Sequence, residues 1–127
     1  MDRLILVSDV AYLGGYPAGL YKWGNLDVEV FADGYIGLPG TTFLAGAAHL
    51  LDWDIPAFMH FIGATLGDTI RLCTVNPARL LSQGASPLRS SGGLKVGAPA
   101  DIVLFRYDKD DKKLKILKTL IHGEEIL

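Results

Sequence analysis

The run Leu4-Ile5-Leu6-Val7, followed directly by Ser8 and Asp9, constrains the fold of this chain more than any other feature. Four consecutive apolar residues, without polar residues between them, are typical of a strand covered on both faces, as in parallel α/β sheets. Functional side chains collect at the carboxyl ends of such strands. Asp9 therefore stands where a catalytic residue would stand, although a carboxylate that caps the following turn fits this stretch equally well.

Length and composition exclude several classes of protein. The 127 residues fit one modest domain, and a net charge of -2 gives no basic excess for binding nucleic acid or an anionic membrane. Cys73 is the single cysteine, so neither an internal disulfide nor a cysteine-based zinc site is possible. No apolar run approaches the ~18 residues of a membrane helix, and no secretory signal pattern is present, so we expect a cytoplasmic protein.

The rest of the chain predicts a glycine-rich loop, a β-hairpin, helices and C-terminal strands, in that order. Asp33-Gly34 is a strong signal for a hairpin turn, and Thr65 followed by Asp68 has the form of a capping box. The predicted elements are a loop over Ala11–Asn25, a hairpin over Leu26–Leu38, helices over Ala47–Trp53 and Ile55–Ile62, a helix from Thr65, a helix capped by Asn76, a loop over Gly84–Gly93, and strands over Ala100–Tyr107, Leu114–Ile121 and Glu124–Leu127.

Several segments together carry a resemblance to a known family. They are LILVSDV, GTTFLAG, DTIRLCTVNPARLL, GGLKVGAPADIVLF and LKTLIHGEEI, in this order. They resemble the C-terminal part of the amidohydrolase superfamily, and most closely its N-acetylglucosamine-6-phosphate deacetylase branch. The resemblance implies an α/β fold that is the C-terminal piece of a metal-dependent hydrolase (β/α)8 barrel, with C-terminal strands of the associated β-sandwich.

This resemblance implies a division of the chain by role. Residues 1–99 would hold the last barrel strand, Leu4 to Asp9, then a β-hairpin insertion and the helices between Ala47 and Ser82. Residues 100–127 would be C-terminal strands of the small β-sandwich. A whole barrel needs roughly 200 residues or more, so we expect a fragment or a truncated product that is inactive alone.

The activity implied by the resemblance is deacetylation of an N-acetyl amino sugar phosphate with a divalent metal, zinc or iron. Asp9 would take a proton from the attacking water and deliver it to the leaving amine. Leu44, Ala45 and Gly46 would bind the substrate, since small residues let the backbone come close to a sugar. A plain helix entry explains these three residues equally well. The family's metal ligands lie on preceding strands, so we expect no catalytic metal in this chain.

The histidines do not suggest a replacement metal site. His49 and His60 lie eleven positions apart, which is not the i, i+4 spacing of a helical ligand pair, and His122 precedes Gly123 in a predicted turn. We interpret all three as structural residues.

Two other functions remain open from the sequence. The chain could be a non-catalytic interaction or scaffold module derived from the amidohydrolase fold, or another C–N hydrolase of dihydroorotase-like or deaminase-like type. The hairpin between Asp9 and the helices favours the deacetylase branch over the latter. Because the apolar strand Leu4 to Val7 requires neighbours that cover both of its faces, we also expect a homo-oligomer.

Overall fold

The computed structural model describes residues 1–82 and 94–126, so the predicted loop Gly84–Gly93 lies outside the described residues. Two compact units form, one from Val7–Asp54 and the other from Met1–Leu6 with Ile55–Leu127. The predicted division at residue 99, which concerns roles in a larger protein, stays a prediction. The elements are β1 (Gly19–Trp23), β2 (Leu26–Val30), β3 (Ile36–Gly37), β4 (Leu44–Gly46), α1 (Leu51–Ile62), α2 (Leu66–Cys73), α3 (Val75–Ser82), β5 (Ile102–Asp108), β6 (Lys113–Ile121) and β7 (Glu124–Glu125).

The unit Val7–Asp54 is built on an antiparallel sheet of order β1-β2-β3-β4. The predicted hairpin is confirmed, because β2 and β3 pair through a turn in which Gly34 has a φ of +84°. The prediction that Ala11–Asn25 is all loop is wrong. Its second half forms β1, since Trp23 pairs with Leu26 and leaves Gly24 and Asn25 as a two-residue hairpin turn.

The core of this unit consists of apolar side chains from one face of the sheet and from the loop after Asp9. Val28 and Val30 alternate with exposed or half-buried neighbours on β2, as expected for a strand with one covered face. The buried cluster is Leu13, Val28, Val30 and Ile36. Leu13 thus ties the loop to the sheet, and full burial of such a side chain contributes about 1.5–3 kcal/mol.

The apolar run at the start of the chain forms no strand, which corrects the prediction for Leu4 to Asp9. A strand requires a backbone partner, and no strand among the described residues pairs with this run. The backbone groups of Leu4 and Leu6 instead bond to helices of the unit to which these two residues belong. Leu6 N donates to Leu72 O over 3.2 Å, and the Asn76 side chain donates to Leu4 O over 2.6 Å.

The helices partly match the prediction. Two predicted helices are one, α1, which begins at Leu51 and runs through Pro56. Residues 47–50 are not helical, because the Ala47 carbonyl accepts a hydrogen bond from Ala11 N. The predicted N-cap at Thr65 is confirmed, although the Asp68 carboxylate accepts from the Thr65 hydroxyl in place of the backbone N–H that a capping box uses. Thr65 Oγ1 accepts from Asp68 N at 3.1 Å and donates to Asp68 Oδ2 at 2.7 Å.

Helix α3 corrects the predicted role of Asn76. The helix begins one residue earlier, at Val75, so Asn76 lies inside its first turn and is not the N-cap. Its side chain is used for tertiary contacts, since Nδ2 donates to the carbonyls of Met1 and Leu4.

The C-terminal strands form an antiparallel sheet of order β5-β6-β7, close to the prediction. The charged segment between β5 and β6 is a turn in which the Asp108 carboxylate accepts from the backbone N–H groups of Asp110 and Asp111. His122 and Gly123 form the predicted turn before β7, with φ values of +52° and +85°.

Candidate functional site

The loop that carries Asp9 lies against the end of β4. Val10 forms a parallel bridge with Ala47, and Ala11 N donates to Ala47 O over 2.7 Å. Ala47 directly follows Gly46, the last residue of β4. The structure therefore brings together the two segments that the sequence singles out, Asp9 and Leu44–Gly46. They are distant in the sequence, since Phe43, the residue before the second segment, lies 34 positions after Asp9.

Asp9 has an exposed side chain and a backbone φ of +49°, in the left-handed region. Non-glycine residues rarely adopt this conformation, and aspartate and asparagine tolerate it best because their short polar side chains bond locally. Residues held in such regions cluster at functional sites. This left-handed backbone conformation therefore distinguishes Asp9 from the other non-glycine residues of its loop as a candidate functional residue.

Gly46 sits where two other residues approach its backbone closely. A Cβ atom added there would lie 2.7 Å from Ala11 Cβ and 3.3 Å from Trp23 Cζ3. Gly14 shows a similar close approach, since its missing side chain leaves room for the Val10 side chain. The absence of side chains at positions 14 and 46 thus allows the Asp9 loop to pack on the end of β4.

The other two predicted substrate-binding residues have different environments. Leu44 is 65% exposed, and its backbone pairs with Gly37 of β3. Ala45 is half-buried and packs against the core cluster. The roles of Leu44, Ala45 and Gly46 in binding a substrate stay predictions.

Three tyrosines of the same unit, Tyr12, Tyr16 and Tyr21, form a cluster that the sequence did not predict. Tyr16 OH donates to Tyr12 OH over 3.2 Å, and the rings of Tyr16 and Tyr21 meet edge to face at 5.5 Å. The bond to Tyr12 raises the pKa of Tyr16 above its ordinary value. The short spacing between Tyr12 and Tyr16 in the loop is the sequence signal that could have indicated this cluster. The cluster gives the glycine-rich loop internal order.

A second polar group lies where the chain enters α1. The His49 ring stacks on Trp53 with centroids 4.1 Å apart, and it fills the space beside Gly34. Burial raises the pKa of Asp54 above its ordinary value, with His49 opposing the shift and Asp52 adding to it. One oxygen of this carboxyl, Oδ2, is buried and has no hydrogen-bond partner among the described residues.

The described residues do not fit a divalent metal. Residues 1–82 and 94–126 contain no group of three or more His, Cys, Asp or Glu side chains that could hold one. His60 Nδ1 lies 3.1 Å from Lys112 Nζ, a cation, and not beside further ligands of a metal set. In the same part of the chain, no helix is both long and apolar enough to cross a membrane.

Comparison with known proteins gives one sequence relative and several structures. No family model matches the chain. A protein of Escherichia coli (strain K12), provisionally named N-acetylgalactosamine-6-phosphate deacetylase, is 24% identical over 123 residues, which cover 97% of this chain and 67% of that protein.

Solved structures of N-acetylglucosamine-6-phosphate deacetylases match nearly the whole chain. The enzyme from Pasteurella multocida is 25% identical, with a TM-score of 0.75, over 98% of this chain and 30% of its own. The Thermotoga maritima enzyme is 25% identical, with a TM-score of 0.73, over 99% of this chain and 31% of its own. An aspartate-to-alanine mutant of the Mycobacterium smegmatis enzyme, in complex with N-acetyl-D-glucosamine-6-phosphate, is 27% identical, with a TM-score of 0.68, over 99% of this chain and 31% of its own.

The chain thus spans about a third of the length of these deacetylase structures, as a mixed α/β piece. The resemblance inferred from the sequence segments is confirmed by matches that extend from one end of the chain to the other. Over nearly its whole length, the chain is thus similar to part of the N-acetylglucosamine-6-phosphate deacetylases, which belong to the amidohydrolase superfamily that the sequence segments resemble.

Proposed function

We propose that this chain supplies the proton-transfer residue and part of the substrate-binding surface of a deacetylase that acts on an N-acetyl amino sugar phosphate. The observation that carries the proposal is the packing of the Asp9 loop on the end of β4, through the 2.7 Å hydrogen bond from Ala11 N to Ala47 O. This contact puts the candidate acid–base residue beside the candidate binding segment Leu44–Gly46. The likeness to deacetylase structures supports the choice of reaction.

The proposal assigns the chain to the C-terminal part of the barrel enzyme. Leu4 to Asp9 would become the last barrel strand when neighbouring strands are present, which fits its continuous apolar sequence. Residues 100–127 would belong to the small β-sandwich. That Leu4 to Asp9 has no strand partner among residues 1–82 and 94–126 fits this assignment, because its partners would lie in another part of the enzyme.

Asp9 would move one proton in two steps. A water molecule attacks the amide carbonyl while the Asp9 carboxylate accepts one of its protons. The same carboxyl then donates that proton to the nitrogen of the leaving amine, so that acetate and the free amino sugar phosphate are released. The described residues of this chain do not form a metal site, so no step of this scheme is assigned to a metal.

The substrate we propose is N-acetylglucosamine 6-phosphate. The Mycobacterium smegmatis structure contains this compound, whereas the Escherichia coli relative is named for the N-acetylgalactosamine isomer. The two sugars differ only in the configuration of one hydroxyl group, so both belong in any assay. Leu44, with its exposed side chain, and the backbone of Ala45 and Gly46 are the groups proposed to contact the sugar.

A chimera tests the proposal. The chain replaces the matching third of the Thermotoga maritima deacetylase, and release of acetate from both phosphosugars is measured. We expect deacetylation by the chimera and a loss of at least about 100-fold in kcat for Asp9→Asn. Asp27→Asn is the matched control, since Asp27 is an exposed carboxylate of the same unit that pairs with Lys22. A folded, active chimera whose kcat is unchanged by Asp9→Asn would contradict the proposal.

A further inference from the structure

We propose that Gly46 is a positioning residue for Asp9 and acts through Ala11. The inference rests on the proposed role of Asp9, but it concerns a contact inside the unit Val7–Asp54 that can be measured without activity. It gives Gly46 a role different from direct contact with a sugar. Because Gly46 has no side chain, the Asp9 loop can pack directly against its backbone.

The steric evidence lies in the atoms that surround position 46. A Cβ atom there would lie 2.7 Å from Ala11 Cβ, a separation that real Cβ atoms essentially never show. Ala11 has a single side-chain carbon, so it cannot rotate away and its backbone would have to move. The Trp23 ring on the other side, at 3.3 Å, leaves little room for position 46 to shift instead.

The effect on Asp9 follows from the chain connection. Ala11 is two residues after Asp9 and holds the loop through its N–H bond to Ala47 O. Displacement of Ala11 therefore breaks or lengthens this bond and releases the bridge between Val10 and Ala47. The left-handed backbone of Asp9, with its φ of +49°, needs such surrounding contacts to persist.

The backbone of position 46 does not itself require glycine. Gly46 is absent from the residues with a positive φ, in contrast to Gly34 and Gly40. An alanine at this position would thus adopt the native φ without strain, and its effect would come from steric contacts, chiefly the one with Ala11 and to a smaller extent the one with Trp23. This separation of causes makes a compensating substitution informative.

The first test measures hydrogen exchange of the amide of residue 11 by NMR in the 127-residue chain. We expect Gly46→Ala to speed this exchange at least tenfold, while the amides of Val28 and Val30 keep their protection. The double variant Gly46→Ala with Ala11→Gly removes the clashing carbon and should restore most of the protection. Gly67→Ala is the control, because the one neighbour of a Cβ at Gly67 among the described residues is Thr65 Oγ1, at 4.0 Å.

Two results would overturn the inference. One is unchanged protection of residue 11 in Gly46→Ala, and the other is a double variant no better protected than the single one. Should Gly46→Ala lose the fold of the unit altogether, recovery of folding in the double variant becomes the deciding measurement. A direct sugar-binding role for Gly46 predicts no rescue by Ala11→Gly.

The chimera separates this inference from the proposed function. We expect Gly46→Ala to lower kcat at least tenfold with a smaller change in KM, and Ala11→Gly to restore kcat. If Asp9→Asn leaves kcat unchanged while the exchange results hold, the proposed function fails and Gly46 only orders the loop. If Asp9→Asn abolishes turnover but Gly46→Ala affects neither exchange nor kcat, the positioning role alone fails.

Discussion

The side chain of Asn76 donates to the backbone carbonyl of Leu4 at 2.6 Å, joining residues 72 positions apart. The same Nδ2 group donates to Met1 O at 3.1 Å, and Asn76 is only 5% exposed. A buried amide that satisfies two carbonyls fixes the first six residues on helices α2 and α3. This contact stabilises the start of the chain without any strand pairing.

Replacement of Asn76 by alanine should therefore destabilise the chain. The substitution removes the Asn76 donor from both carbonyls. Met1 O keeps the N–H of Leu4, 3.3 Å away, so the expected cost of about 1–3 kcal/mol comes chiefly from the buried contact to Leu4 O. Chemical denaturation of the variant and the native chain measures the difference. Asn25→Ala, in the exposed turn between β1 and β2, is the control and should change stability by less than about 0.5 kcal/mol. Equal losses from both variants would show that the Asn76 contacts contribute nothing specific.

The cap of helix α2 provides a second stability prediction. Thr65→Val keeps the shape of the side chain but removes the hydroxyl that bonds to Asp68 N. We expect a loss of about 1 kcal/mol in the free energy of unfolding. Thr42→Val, at an exposed position in the turn before β4, serves as control. Thermal unfolding that is insensitive to Thr65→Val would refute the capping role.

The raised pKa of Asp54 determines the direction in which the stability of the folded chain changes with pH. Burial raises the pKa of this carboxyl, so the folded chain binds its proton more tightly than the unfolded chain does. The stability that the protonated carboxyl contributes is therefore complete below its ordinary pKa of 3.8 and is lost as the pH rises through the raised pKa of the folded chain.

Asp54→Asn replaces the ionisable carboxyl by a neutral amide, so it removes the loss of stability that occurs as the pH rises. We expect the variant to unfold at a higher temperature than the native chain at pH 7, and the difference to shrink toward pH 3.5. Asp110→Asn, at an exposed position in the turn between β5 and β6, is the control variant. A variant that is less stable than the native chain at pH 7 would mean that the Asp54 carboxylate has a stabilising partner.

Exposed apolar side chains carry the prediction of self-association. Leu4 is 45% and Val7 is 66% exposed, although both belong to the most apolar run of the chain. Contacts with another chain would cover them. Light scattering should give a mass of two or more chains, and Val7→Glu should shift it toward one. A monomer at all concentrations would contradict this prediction.

Local signals in the sequence predicted local structure well. Asp33-Gly34 gave the hairpin turn and Thr65 with Asp68 gave the helix cap, because in both cases the residues that interact are neighbours in the chain. The strand Gly19–Trp23 was missed although Gly24-Asn25 is a hairpin-turn signal, because the many glycines before it favoured a loop.

Contacts between distant residues could not be predicted in this way. Leu4 to Asp9 has the composition of a strand, yet a strand needs partners that the described residues do not provide. Asn76 had the form of a helix cap, and nothing near it in the sequence indicated the bond to Leu4. Resemblance to the family singled out Asp9 and Gly46 as candidates, but only the structure showed that Ala11 lies against Gly46.

The kcat of the Asp9→Asn chimera, relative to the Asp27→Asn chimera, tests the central claim most directly. Asparagine tolerates the left-handed backbone at position 9 and preserves the shape of the side chain, but it cannot accept a proton from water. We expect a kcat at least about 100-fold below that of the control, with little change in KM or melting temperature. Equal kcat values for the two variants would contradict this claim.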